Sequence, residues 1–287
     1  MKNFLYRKPS TLEEVFALLS EYQEGALVYA GGTVILPKMK QKLLQPEILI
    51  DIKGIKGLEE IRGESKKGFT LGALATLRSL EVSWAIQERG KVIAEAAGMI
   101  GSIQNRNSAT LGGNLCYASP SAEMAPCLIA LGATARIVSK EGERSVSLQE
   151  FFAGPGKTVL QKGELLGAIQ VPPPPVGLRC VYQRLALRKA MDLPVVMVAV
   201  SLILDPGGGK RCDDIKIVLG AVAPVPMRAR KAEERLRGQE IDSQSIQEAA
   251  EIAAAEAHPV NDLRASSDYR REMVRILSAQ SIKEAAA

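Results

Sequence analysis

The sequence predicts an α+β protein in two parts, and three observations lead there. Short apolar strands and helices alternate from residue 4 to residue 171, joined by glycine turns and without a regular βαβ repeat. The proline run Pro172 to Pro175 then imposes an extended segment that cannot donate to a β-ladder. Beyond it, a run of strands is followed by a run of helices, again the α+β order. The boundary therefore falls after Pro175, giving units 1–175 and 176–287.

The elements follow in order. Phe4 to Tyr6 starts a strand. Ser10-Thr11-Leu12-Glu13 reads as a capping box with Ser10 as N-cap and Glu13 reaching back, and Leu12, Val15, Phe16 and Leu19 line one helical face. Ala26 to Ala30 is a strand that stops at Gly31-Gly32-Thr33; Ile48 to Ile50 and Phe69 to Ala73 are further strands, the last followed by Thr76 as an N-cap. Val92 to Ile100 is helical, Gly101 to Asn114 reads as a loop, and Ala122 to Leu131 is a buried helix with Pro126 in its early turns. Ala133 to Val138 and Glu164 to Val171 close the first unit as strands. The second unit has strands at Cys180 to Leu187, Val195 to Leu204 and Ile215 to Leu219, with Gly207 to Gly209 turning the chain before the last. Helices at Arg228 to Leu236, Ser245 to Ala257 and Ser267 to Ile282 complete it.

Composition excludes several functions. The net charge is only +5 over 287 residues, so there is no polycationic tail. Aromatic residues are 4%, with the single Trp84, too few for the stacked platform of a single-strand nucleic-acid binder, and no nucleic-acid partner is expected. The sole histidine, His258 before Pro259, reads as a helix end and rules out a Ser-His-Asp triad or a multi-histidine zinc site. Cys116, Cys127, Cys180 and Cys212 contain no C-x-x-C pair, so the chain is a poor iron–sulfur host and its thiols read as small buried apolar groups in a reducing compartment. The start lacks an apolar signal region, and the greasy run Leu193 to Leu204 is too short to span a bilayer; the expected location is the cytoplasm, with no membrane span.

Two glycine doublets carry the chemistry. Gly31-Gly32-Thr33 and Gly112-Gly113-Asn114 each end in a hydrogen-bonding side chain. Each alone reads as a tight turn; together they read as N–H nests facing one anion such as a phosphate. Gly156-Lys157-Thr158 is not a P-loop, because Phe151 occupies the place of the required first glycine, and no G-x-G-x-x-G follows a strand. Glu123 stands near the start of its helix, where it either meets the helix N-terminus or accepts from ligand hydroxyls. Arg184, Arg188, Lys189 and Asp192 form either a solvated edge or a ligand contact.

Ala30-Gly31-Gly32-Thr33 resembles the first FAD loop of the flavoprotein subunits of molybdenum hydroxylases. Gln104 to Asn114 resembles the second, and Ala118-Ser119-Pro120-Ser121-Ala122-Glu123 continues it. Phe151 to Thr158 and Arg264 to Arg270 resemble later motifs of the same family, in family order. The resemblance implies a two-part PCMH-type FAD-binding domain over 1–175 and a smaller α+β C-terminal domain over 176–287, a three-stranded sheet plus helices. It also implies FAD contacts from Leu27, Val28, Tyr29, Ala30, Gly31, Gly32, Thr33 and Val34. A second wall would come from Ala109, Thr110, Leu111, Gly112, Gly113 and Asn114, and further positions near the cofactor from Ser119, Glu123, Leu165, Gln183 and Arg184. Val34, Ala109 and Glu123 depart from the Asp, Gly and Asp common in relatives.

Such a chain is an oxidoreductase component. The resemblance implies that it passes electrons from the [2Fe-2S] clusters of a small subunit, beside a molybdopterin-binding large subunit, through FAD to an acceptor such as NAD. No residue of the chain is assigned as a catalytic acid or base, and no metal ligand. A stand-alone FAD-dependent oxidoreductase of the same fold is the alternative, distinguished by bleaching with its own substrate. A scaffold or nucleic-acid-binding protein is the distant one, distinguished by a colourless preparation whose DNA binding falls with salt.

Overall fold

The computed structural model describes residues 2–64, 67–207 and 209–287. The chain begins with β1 (Leu5–Arg7), α1 (Leu12–Tyr22), β2 (Ala26–Tyr29), α2 (Ile35–Lys40) and β3 (Ile48–Asp51). These strands make a parallel sheet in the order β1-β3-β2. Val15 and Phe16 of α1 bury against Ile48 and Ile50 of the central strand. The cap of α1 is Thr11 rather than Ser10. Its hydroxyl accepts from the Glu14 N–H, and Glu14, not Glu13, reaches back to the Ser10 N–H at 2.7 Å. The helix begins one residue later than the spacing suggests, yet the apolar face is the predicted one.

Next come β4 (Ile61–Glu64), β5 (Gly68–Gly72), α3 (Leu77–Val82), α4 (Trp84–Arg89), α5 (Lys91–Gly98), α6 (Ile103–Ser108), α7 (Leu111–Cys116) and α8 (Met124–Ala130). They are followed by β6 (Thr134–Ser139), β7 (Gly142–Ser147), the hairpin β8 (Phe152–Gly154) and β9 (Lys157–Thr158), and β10 (Leu165–Val171). An antiparallel sheet forms in the order β4-β5-β10-β6-β7. Thr76 caps α3 as predicted. The stretch from Gly101 to Asn114 is not a loop: Ser102 and Thr110 cap the one-turn helices α6 and α7. Each is too short to show a helical apolar period, which hid both from pattern reading.

The last part comprises β11 (Arg179–Leu185), β12 (Val196–Leu204), β13 (Cys212–Gly220), β14 (Met227–Arg228), α9 (Arg230–Leu236), α10 (Ser243–Glu256) and α11 (Ser267–Ala286). The sheet has four strands rather than three, in the order β11-β12-β13-β14, because the two residues of β14 pair with Val218 and Leu219. Of the glycine run before β13, Gly208 lies outside the described residues. This sheet is covered on both faces. Tyr182, Met197, Ala199 and Val218 join the core around α8, while Val196, Val198, Val200 and Leu219 join the core under α9, α10 and α11. Burial on two faces explains why β12 is apolar without alternation. Ser201, its one buried polar side chain, donates to the Ala130 carbonyl on α8 at 2.8 Å.

Arg270, in the motif Arg264 to Arg270, is a buried clamp. Its guanidinium donates to the carbonyls of Val195 and Ala221 at 2.9 and 3.0 Å and pairs with Asp262 at 2.8 Å. It thereby fastens the first turn of α11 to the ends of β12 and β13. Arg270→Met should leave those carbonyls without a donor and lower stability by about 2 kcal/mol, read by denaturant unfolding; an unchanged midpoint would show that the clamp contributes nothing.

Candidate functional site

The two glycine segments converge. A Cβ on Gly31 would lie 2.1 Å from the Ser108 carbonyl oxygen and 3.0 Å from the Ala109 Cα, so the two backbones are packed directly together. The Lys38 ammonium, 4.7 Å from the Tyr117 ring centroid, ties α2 to the end of α7 close by. Neither residue has a sequence signal of its own; each is placed by the helix that follows a glycine segment.

The first segment leaves the carboxyl end of β2, an edge strand whose four residues are all half-buried. Val28 and Ala30 pack on the core of the parallel sheet. Gly32 has φ +72° and lies against the Tyr29 ring, a conformation that favours glycine. Thr33 is exposed, and Val34 caps α2 without a side-chain bond. Among the described residues, no acceptor meets the N–H groups of Gly31, Gly32, Thr33 or Val34. This is a row of unpaired donors at the end of a parallel strand, where ligands of α/β sheets gather. The donors and the absent side chains fit a diphosphate.

The second segment differs from the expected nest. The Leu111 and Gly112 N–H groups donate to the carbonyls of Ala75 and Ala73 at 2.9 and 2.7 Å. Those of Gly113 and Asn114 are taken by the Thr110 hydroxyl and carbonyl, both at 3.0 Å. Among the described residues, the backbone N–H groups of Leu111 to Asn114 are thus all spent within the chain. The second doublet is a packing device: a Cβ on Gly112 would meet the Ala73 oxygen at 2.7 Å, so glycine lets α7 lie on the chain leaving β5. Thr110 and Leu111 are buried, and Ala109, Gly113 and Asn114 keep some exposure. Arg106, within the same motif, is buried and forks onto Glu81 of α3 at 2.9 and 3.2 Å.

Glu123 stands at the start of α8, where the Asn114 side chain accepts from the Met124 N–H at 3.3 Å. Ser119 sits just before, half-buried, its hydroxyl accepting from the Ser121 N–H at 3.1 Å. Glu123 caps no N–H of the helix. It faces Arg184 of β11 instead, at 2.5 Å, and both side chains are almost fully buried. Arg184 also donates to the Met99 carbonyl and, at 2.9 Å, to the Asp192 carbonyl. The solvated-edge reading thus holds for the exposed Arg188 and Lys189 and fails for Arg184. Burial pushes the Glu123 carboxyl up to about 7, against the pull of Arg184.

The remaining predicted positions lie apart. Leu165 is buried beside Val138 and Leu74, where β10 packs against the core of the parallel sheet. Gln183 is on the opposite face of β11 from Arg184 and donates to Glu284 of α11 at 3.0 Å. The cysteines form no disulfide, and burial raises the thiols of Cys116 and Cys180 to about 12 and that of Cys212 to about 11. Among the described residues no helix is long and apolar enough to cross a membrane.

The chain resembles known proteins along nearly its whole length. Residues 2–174 match the FAD binding domain in molybdopterin dehydrogenase, and residues 182–285 match the CO dehydrogenase flavoprotein C-terminal domain. The glyceraldehyde dehydrogenase medium chain of Sulfolobus acidocaldarius is 32% identical over 99% of this chain and 98% of its own. The carbon monoxide dehydrogenase medium chain of Afipia carboxidovorans is 32% identical over 99% of this chain and 97% of its own. A crystal structure of the cyanide-inactivated Cu,Mo-CO dehydrogenase contains a chain that superposes with a TM-score of 0.93 at 32% identity, over 100% of this chain and 99% of that one. An open donor row braced by a second backbone, a two-part fold and matches along nearly the whole length lead to one conclusion: the chain belongs to the FAD-binding medium-subunit family of the molybdenum hydroxylases, an oxidoreductase flavoprotein whose cofactor is FAD.

Proposed function

We propose that this chain is the electron-transfer subunit of a molybdenum hydroxylase complex, taking electrons from [2Fe-2S] clusters of a small partner and delivering them to an acceptor such as NAD. A molybdopterin-binding large subunit would carry the organic chemistry. The observation that carries this reading is the unpaired donor row from Gly31 to Val34, held against Ser108 and Ala109. FAD, when bound, supplies the exchange between one- and two-electron chemistry. The chain's own part is to bind and orient it. The row would donate to the diphosphate, with Ala109, Gly113 and Asn114 as the opposite wall. No side chain is needed as a general acid or base. Two relatives named for such different substrates as glyceraldehyde and carbon monoxide match this chain end to end, which supports substrate recognition by another subunit. Four unpaired thiols suit a reducing compartment such as the cytoplasm.

Added FAD should stabilise the apo chain. At about 1,000 times its dissociation constant the gain is about 4 kcal/mol, a rise of about 7 °C in melting temperature for a chain this long. Rapid mixing with the reduced small subunit should then bleach the flavin, and NADH should form when NAD is supplied. A chain that binds FAD but bleaches only with an organic substrate of its own would establish the stand-alone enzyme instead.

A further inference from the structure

The carboxyl ends of the parallel strands hold a connected polar group outside the two glycine segments. The buried Asp51, last residue of β3, accepts from the Tyr6 hydroxyl of β1 at 2.5 Å and from the Lys53 N–H at 3.0 Å. The Lys53 ammonium lies 3.0 Å from the same carboxylate. That ammonium also stands 3.6 Å from the centroid of the Tyr29 ring, at the end of β2. Tyr29 in turn lies against Gly32: a Cβ there would be 2.4 Å from its Cε2 and 3.0 Å from its hydroxyl oxygen. The three neighbouring strands thus meet at one chain of contacts that ends on the left-handed glycine of the donor row.

The geometry points to Asp51, Lys53 and Tyr29 as positioning residues for the diphosphate-binding loop. The inference rests on the flavin reading of that loop and adds what holds it in shape. Burial alone would push the Asp51 carboxyl up, but the bonds from Tyr6 and Lys53 hold it below its ordinary value, so it stays charged and fixes the ammonium. The fixed ammonium holds the ring by cation–π attraction. The ring supports Gly32 at φ +72°, and this backbone turn sets where the N–H groups of Gly31 to Val34 point. A loop already held in its bound shape loses less entropy on binding. The Lys53 side chain is 43% exposed, so its charge can be removed without opening the core, and its field adds to the attraction for an anion.

The test uses the full-length apo chain and titrates it with FAD and, separately, with ADP, which carries the diphosphate without the flavin. Lys53→Met should weaken both nucleotides about five- to tenfold, with a small fall in the apo melting temperature because Asp51 loses one of its partners, a fall that Lys53→Arg restores. Lys53→Arg keeps a cation over the ring and should restore both to within about twofold. Three results would overturn the assignment: wild-type affinity in Lys53→Met, a loss for FAD but not for ADP, or a fall in apo melting temperature that Lys53→Arg does not rescue. If the wild-type chain binds neither nucleotide, the loop reading itself is wrong and the proposal goes with it, an outcome distinct from a loss confined to the variants.

Discussion

Gly31→Ala is expected to fold normally and lose FAD. The added methyl group would stand 2.1 Å from the Ser108 carbonyl oxygen and 2.9 Å from its carbon. Both are backbone atoms, so no flexible side chain can swing aside. The contact lies between a half-buried loop and an exposed residue, outside the main cores. The overlap is therefore relieved by moving the two segments apart, which leaves the fold intact and spoils the donor row. Overpacking of this kind costs about 1–3 kcal/mol, and here that falls on binding, a roughly ten- to hundredfold weaker complex. Fluorescence titration with FAD measures it. Gly154→Ala is the control, because a Cβ there meets nothing within 4 Å and φ is not positive. Equal affinity in Gly31→Ala and wild type would mean that the cofactor does not use this loop.

Arg184→Met should be the most destabilising single change at the junction between β11 and α8. It removes the partner of a buried carboxylate and the donor to two carbonyls, those of Met99 and Asp192. Breaking a buried pair in this way costs about 3–5 kcal/mol when the remaining group stays charged. Glu123 is not bound to stay charged, and this makes the effect depend on pH. Its carboxyl is raised from 4.5 to about 7 in the folded chain by burial, with Arg184 opposing. A folded-state value above the unfolded one means that the native chain holds the extra proton between these limits. Stability therefore falls as pH rises from about 4.5 through about 7 and levels off above, by about 3 kcal/mol at most from this group. Glu123→Gln cannot titrate, so its unfolding free energy, followed by urea titration from pH 5 to pH 8, should lack that slope. The penalty of Arg184→Met should be smaller at pH 6, where Glu123 can keep its proton, than at pH 8. Parallel pH profiles for wild type and Glu123→Gln would show that this carboxylate is not strained by burial.

Of the candidate site, the parts with a local cause can be read from the chain. A strand cut short by Gly31-Gly32 reads directly from the chain, because glycine adopts the positive φ of Gly32 most readily. The continuous apolar run of β12 reads as a strand, and Thr76 announced α3, since cap and apolar run act within a few residues. The second doublet misled for the same reason. Gly-Gly at 112 and 113 looks like Gly-Gly at 31 and 32, yet its N–H groups are taken by the Ala73 carbonyl and the Thr110 hydroxyl. Nothing within the motif says that the chain leaving β5 will lie alongside.

What the sequence determined by itself was therefore the α+β class, the longer strands and helices, and the family signature. What only the tertiary structure decided was which polar groups are spent on each other. Glu123 and Arg184 are 61 positions apart, and each alone read equally well as a ligand contact or as an ordinary charge. Gln183 and Arg184 are adjacent, yet strand alternation sends one to α11 and the other to α8. Short-range preferences are carried by neighbours along the chain. The partner of a buried charge is chosen by how sheets and helices stack, because only the stacked layers remove water and force each charge to find its counterpart.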